Sequence, residues 1–153
     1  MRRRTRPFAI HEMWAAILAV VLALASCARS TPEEEVRAVF AAAETAAEDR
    51  DVSGVMDLVS DRYSDPAGND KAAIKALMQG FFIVNQSVHL LMRVEELEFP
   101  SADLATAHLS VGMLGRQAAE DWAFAADVYE FDVRLVREED EWRLQSATWR
   151  RPR

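Results

Sequence analysis

The residues of this sequence that could act as acids or bases are few and lie far apart along the chain. Tyr63 and Asp65 stand where a short predicted helix meets a loop, and Asp127 stands near the start of a predicted strand. A carboxylate in an apolar pocket can act as a general acid or base when burial tunes its pKa. We take these three residues as candidate site residues. Their alternatives stay open: an aromatic side chain packed on the core, a turn aspartate and a frayed strand end.

Two histidines, His89 and His108, lie on the more polar sides of two predicted strands. Two imidazoles without a nearby carboxylate make a poor metal site, so we assign no metal. We expect instead a cross-strand histidine pair that faces solvent or a dimer partner. On the same polar face, Glu130, Asp132 and Arg134 are placed to form cross-strand ion pairs.

Length and composition exclude several classes of protein. The chain has 153 residues, of which 50% are hydrophobic, and a formal charge of −7, which suits one folded domain and excludes a disordered chain. One cysteine allows neither an internal disulfide framework nor a zinc site with several cysteines. The acidity argues against nucleic acid as a partner, because phosphates would be repelled.

The first 26 residues differ in character from the rest of the chain. Four arginines lie within residues 1–12, and residues 13–25 are apolar and uncharged. A basic start followed by a short apolar run is typical of an export signal. The alternative is a transmembrane anchor, but the uncharged stretch from Met13 to Ala28 is shorter than the roughly 20 residues that span a bilayer.

The apolar run ends in Leu24, Ala25, Ser26 and Cys27, which resembles the lipobox of bacterial lipoproteins. The resemblance implies that Cys27 receives a diacylglyceryl group and becomes the acylated first residue of the mature protein. We therefore expect a protein anchored in the cell envelope outside the cytoplasm, in the outer membrane if the host is Gram-negative. Ordinary secretion is the alternative, because the residues before Ser26 also form an A-x-A cleavage site.

Cleavage before Cys27 would change the charge of the protein. It removes four basic residues and one acidic residue, which leaves 127 residues with a charge of −10. Residues 27–31 then form a short lipidated tether, and residues 32–150 form one domain. We expect this acidic domain to stand away from an anionic membrane surface.

Hydrophobic periodicity predicts three helices followed by four strands. A helix starts at Pro32, a second starts at Asp51 or Ser53, and a third spans residues 71–82 with Asp70 as its cap. From about Ser87 the period becomes two, which predicts four sequential antiparallel strands. A bulge is expected at residues 95–96, a polar connector at residues 115–121 and an acidic turn at residues 138–140. The fold class is α+β, with helices on one face of a curved sheet.

This order of elements resembles the nuclear transport factor 2-like superfamily, also called SnoaL-like or cystatin-like cone folds. The likeness covers residues 32–150 and is carried by three stretches: the acid–short helix–acid pattern of residues 48–61, the third helix start at residues 70–74, and the terminal hairpin with an aliphatic–acidic turn–Trp–basic–aliphatic pattern at residues 135–144. The resemblance implies a cone with an apolar pocket, and it places Tyr63 and Asp65 at the pocket mouth. In similar folds the outer face of the sheet often forms a homodimer, which we list as a hypothesis.

Function is only coarsely predicted. No acid–base constellation of the family can be placed on this sequence, so we assign no catalytic residue and no cofactor. We expect a non-catalytic module that binds an apolar small ligand or another protein. The alternative is a small-molecule isomerase or dehydratase that uses a pocket carboxylate. A basic C-terminal end, Arg143, Arg150, Arg151 and Arg153, is either solvated or in contact with lipid head groups or polyanions.

Overall fold

A computed structural model of the protein describes residues 30–117 and 124–152, and the helices and strands of these residues lie in one compact unit, Pro32–Arg153. The predicted export signal, Cys27 and most of the tether lie outside the described residues, so the predictions about them remain predictions. None of the helices in the described ranges is long and apolar enough to span a membrane.

The first helix, α1, spans Pro32–Glu48, and three glutamates in its first turn stabilise the positive end of its dipole. A left-handed turn ends it: Arg50 has a φ of 58°, and the Asp51 N–H donates to the Ala46 carbonyl at 2.8 Å. The Arg50 guanidinium donates to the carbonyl of Phe82. The residue that ends α1 therefore also holds the third helix in place.

Two shorter helices follow, and aspartates begin both of them. Asp51 accepts a hydrogen bond from the Gly54 N–H at the start of α2, Val52–Asp57. Asp70 accepts from the Ala73 N–H at 2.8 Å at the start of α3, Lys71–Val84, so the predicted cap is confirmed. The third helix is two residues longer than predicted and runs directly into the first strand.

Four antiparallel strands form one sheet in sequence order, and the α+β prediction is confirmed. Their bounds are β1 Asn85–Ser101, β2 Leu104–Gln117, β3 Phe124–Glu138 and β4 Glu141–Arg150. A register shift between Val94 and Glu96 is the expected bulge. The connector prediction was wrong for residues 115–117, which belong to β2, because the ladder with β3 continues through this polar stretch. The rest of the predicted connector, residues 118–121, lies outside the described residues.

The two faces of the sheet differ in composition because side chains alternate along each strand. On β2, Ala105, Ala107, Leu109 and Val111 are buried on the inner face, which the helices cover. Thr106, His108 and Ser110 lie between them on the outer face. The inner face holds the main core, together with Val36 and Phe40 of α1 and Leu135 of β3.

The expected cross-strand histidine pair was wrong. His89 lies opposite Leu114, whereas His108 lies opposite Glu96 on β1 and Asp132 on β3. The two histidines occupy adjacent strands, but the turn between β1 and β2 sets a register that keeps them apart.

Candidate functional site

A cavity of about 480 Å³ lies between the helices and the inner face of the sheet. This volume is in the range of sites that bind small molecules. The described residues that line it are aliphatic, aromatic or methionine, two of them tyrosines, and none carries a carboxylate, an imidazole or a cationic group: Val39, Phe40, Ala43, Ala47, Val55, Leu58, Val59, Tyr63, Ile74, Leu77, Met78, Phe81, Phe82, Val88, Leu90, Met92, Leu109, Val111, Met113, Tyr129, Phe131, Val133, Leu135, Leu144, Ala147 and Trp149.

Periodicity explains how these side chains come to line one space. Alternate residues of each strand project inward, and the α1 residues Val39, Ala43 and Ala47 are four apart and share one face. The alanines leave room that a larger side chain would fill. The volume of the cavity therefore depends on small residues on the helix that faces the sheet.

The mouth of the cavity is marked by the lining side chains that solvent reaches most. Leu77 is 53% exposed, Phe81 39% and Trp149 44%. Trp149 stacks on Phe131 with ring centroids 6.2 Å apart. Large apolar side chains left exposed around an opening are typical of a binding site rather than of a closed core.

The structure brings Tyr63 and Asp65 together, but only Tyr63 lines the cavity. The Tyr63 hydroxyl donates to Asp65 Oδ2 at 3.4 Å, and Asp65 also accepts from the backbone N–H and the side-chain amide of Asn69 at 2.9 and 2.8 Å. These hydrogen bonds, those from Asn69 first, lower the pKa of Asp65. Burial, and then the Asp65 charge, raise the pKa of Tyr63 to about 12. Near neutral pH the pair is a neutral phenol and a carboxylate, and its bonds hold the turn in place.

Asp127 lies outside the cavity lining, next to the mouth. Its side chain is 42% exposed, and Arg151 Nη2 is 3.3 Å from its Oδ2. Arg151 Nη2 also donates to the Tyr129 hydroxyl at 3.2 Å, and the Arg151 guanidinium lies 5.6 Å from the centre of the Tyr129 ring. The hydrogen bond to Tyr129, and then the Asp127 charge, raise the pKa of Arg151. Sequence reasoning placed Arg151 only in a basic cluster.

On the outer face, a groove of about 300 Å³ is lined by carboxylates, an imidazole and a guanidinium, which are not found among the described residues of the cavity lining. His108 Nδ1 lies 2.8 Å from Asp132 Oδ1, and Arg150 donates to Asp132 Oδ2 at 2.9 Å. These bonds, that from His108 first, lower the pKa of Asp132. Arg150 also pairs with Glu130 at 2.8 Å, so Glu130 and Asp132 form ion pairs across strands, as expected, but with Arg150 as the cation. Arg134, the expected cation, lies opposite Thr106 and Ser146. Within the described ranges, no three His, Cys, Asp or Glu residues are grouped to hold a metal.

Comparison with solved structures shows the fold of the chain. It is similar to a candidate scytalone dehydratase from Novosphingobium aromaticivorans, with a TM-score of 0.70, 11% identity and coverage of 78% of this chain and 83% of that one. A ketosteroid isomerase-like protein from Erwinia carotovora atroseptica matches with a TM-score of 0.64, 16% identity and coverage of 80% and 99%. A candidate dehydratase of the NTF2-like family from Streptomyces avermitilis matches with a TM-score of 0.68, 14% identity and coverage of 80% and 99%.

These likenesses define the class of fold: the chain has the cone fold of NTF2-like proteins, as its sequence pattern predicted. At such low identity they carry the fold alone. No protein-family model matches the chain, and no curated protein sequence matches it significantly. The activity must therefore be argued from the site.

Proposed function

We propose that the domain binds a small apolar molecule in its cavity and does not transform it. The observation that carries the proposal is the cavity of about 480 Å³ whose described lining residues include no titratable group apart from two tyrosines. Acid–base catalysis needs a proton donor or acceptor within hydrogen-bond reach of the reacting atoms. Binding of an apolar molecule needs only surface that is removed from water on contact.

The energetics favour an apolar occupant. Burying apolar surface stabilises a complex by roughly 25 cal/mol per Å², and a polar group placed against these walls would lose its hydrogen bonds to water. The hydroxyl of Tyr63, the deeper of the two tyrosines, is already engaged with Asp65. The walls therefore select for shape and apolar surface more than for hydrogen-bonding pattern.

Binding of N-phenyl-1-naphthylamine, an uncharged fluorophore, tests this proposal on Pro32–Arg153 once cooperative thermal unfolding has shown that this unit folds alone. Ala43→Trp places an indole in the cavity and should weaken binding by about tenfold or more, since the space is filled. The matched control is Ala42→Trp, at an exposed position of the same helix, which should leave binding unchanged. Equal affinities for the two variants, or no binding by the wild type, would contradict the proposal.

A second candidate is an isomerase or dehydratase that uses a carboxylate at the cavity. The solved structures named as dehydratase and isomerase-like proteins favour it, because they share the fold. Of the carboxylates considered from the sequence, Asp65 bonds the lining residue Tyr63 and is held in its turn, and Asp127 is paired with Arg151 outside the described lining. A dehydration or isomerisation activity that is lost in Asp127→Asn and retained in Asp132→Asn would favour the enzyme over the binding module.

We further propose that the domain is tethered to the cell envelope through an acylated Cys27. The basic start, the apolar run and the lipobox-like residues before Cys27 support this location. Labelling of the whole chain with a radioactive fatty acid in a bacterial host should mark the wild type and spare Cys27→Ala. Ser30→Ala is the control, which should be labelled like the wild type. Equal labelling of the wild type and Cys27→Ala would overturn the anchor.

A second copy of the chain is the partner we propose for the outer face of the sheet. Leu91 is 76% exposed and Val128 52%, and both lie in register with Gly112 between them. Such a row is self-complementary about a two-fold axis. Sedimentation at tens of micromolar should show a dimer that Val128→Asp dissociates. A wild-type monomer would contradict this proposal.

A further inference from the structure

One cation lies at the mouth of a cavity that contains no charged group among its described lining residues. Arg151 follows β4, in which Trp149 lies in register with the inward-facing Phe131 and Arg150 lies in register with Glu130 on the outer face. Strand alternation therefore returns Arg151 to the inner side, where it contacts Tyr129 and Asp127.

The Arg151 side chain is accessible as well as positioned. It is 67% exposed, although two partners orient it. Tyr129 lines the cavity, and the Arg151 guanidinium lies over the Tyr129 ring, 5.6 Å from the ring centre. A guanidinium has five N–H donors in one plane, more than Tyr129 and Asp127 use, and its fork matches two oxygens of an acid.

We propose that the cavity takes an amphiphile with one acidic head group, whose apolar body fills the cavity and whose head group pairs with Arg151 at the mouth. This inference rests on the proposed binding function and adds the chemical class of the ligand. An apolar body satisfies the walls, and a charged head can remain at the end of the cavity where Arg151 is exposed to solvent. A cationic head group would instead be repelled by Arg151.

Asp127 acts in this arrangement as the internal competitor of the ligand. Its carboxylate is paired with the same guanidinium that an acidic head group would bind. Binding of an acidic ligand therefore has to share or displace this ion pair. Removal of the Asp127 charge should strengthen acidic ligands specifically, which is the opposite of what loss of fold would produce.

The test is displacement of N-phenyl-1-naphthylamine by decanoate and by 1-decanol, which share a chain length and differ in charge. Arg151→Gln should bind decanoate about fivefold more weakly than the wild type does. The affinity of both proteins for 1-decanol should be the same. Asp127→Asn should bind decanoate about two- to fivefold more tightly, again without a change for 1-decanol.

Arg150→Gln is the matched control, because it removes the same charge one residue away on the outer face. It should leave both competitors unchanged. Decanoate affinities that are equal in the wild type, Arg151→Gln and Arg150→Gln would overturn the acidic ligand while leaving an apolar ligand in place. Absence of binding by the fluorophore and by both competitors would overturn the binding function itself.

An acidic head group can also belong to a membrane lipid, so the source of the ligand is tested separately. Vesicles of phosphatidylcholine that contain phosphatidylglycerol should displace the fluorophore from the protein no better than vesicles of phosphatidylcholine alone. Competition by phosphatidylglycerol vesicles together with no effect of decanoate would contradict a single free amphiphile and indicate a lipid surface instead.

Discussion

A catalytic site needs both an enclosed space and a proton donor or acceptor, and in this sheet the two lie on opposite faces. The inner face encloses a cavity without a carboxylate or imidazole among its described lining residues, and the outer face carries a His108–Asp132 pair in an open groove. A general acid or base acts on a substrate that is held against it and shielded from bulk water. Because β-strand side chains alternate, His108 and the cavity residue Leu109 are neighbours in sequence and lie on opposite sides of the sheet. This separation is the reason for which we propose a binding function for the cavity.

The largest effect is expected where the inner face is closed most tightly. Leu135 is fully buried and contributes both to the core and to the cavity wall. Leu135→Ala should lower the free energy of unfolding by about 3 kcal/mol, because it removes buried methyl groups and enlarges the cavity. Urea unfolding measures this change.

The control for Leu135→Ala is its neighbour Val136, which is half-buried. Val136→Ala should cost about 1 kcal/mol or less. Equal losses in the free energy of unfolding for the two variants would mean that the two faces of the sheet do not differ in packing.

A smaller effect is expected at Tyr63, which lines the cavity and whose hydroxyl is bonded to Asp65 of the turn. Tyr63→Phe removes the hydrogen bond to Asp65 and should cost about 1 kcal/mol near neutral pH. The wild type keeps its phenolic proton up to about pH 12 in the folded state, whereas an unfolded tyrosine loses it near pH 10. The folded state therefore binds the proton more tightly, and this contribution to stability falls as the pH rises from about 10 to 12.

The stability of the wild type relative to Tyr63→Phe, measured by urea unfolding at several pH values, should fall across that window. A catalytic role for Tyr63 would make a different prediction: little change in stability and loss of an activity. A difference that stays constant from pH 8 to 12 would show that the hydroxyl is not held as the structure has it.

Local patterns in the sequence were sufficient to predict the fold. Helix starts were readable because Asp70 and the glutamates after Pro32 are chemical signals within one turn. Strands were readable because one face is apolar. The register of β1 against β2 could not be predicted, since it depends on a bulge and a turn that involve residues far apart in sequence. The predicted pairing of the histidines was wrong for this reason.

The candidate site was less predictable than the fold for the same physical reason. Tyr63, Asp65 and Asp127 were selected by residue type, but a carboxylate beside a cavity and one inside it have the same local sequence. The arginine at the mouth carried a readable signal, because Arg151 shares strand parity with Trp149 while Arg150 does not. Parity alone does not say where a strand ends, and the ring of Tyr129 is what fixes the position of Arg151.

The smallest effect is expected on the outer face, at Asp132. Its pKa lies below the ordinary value because His108 and then Arg150 donate to its carboxylate. The folded state therefore gains stability from the ionised group above about pH 4 and loses that stability as the pH falls through the lower folded pKa. The side chain is 52% exposed, so screening limits the contribution to less than about 1 kcal/mol.

Asp132→Asn tests whether the two faces are independent. It should reduce stability slightly at pH 7 and progressively less as the pH falls below about 4. It should leave the affinity for N-phenyl-1-naphthylamine within about twofold of the wild type, since additivity holds for distant sites. Leu109→Ala, the inward-facing neighbour of His108, is the matched comparison and should change both stability and affinity. A marked loss of fluorophore binding in Asp132→Asn would couple the outer groove to the cavity, and the chemistry of the outer face would then have to be considered part of the site.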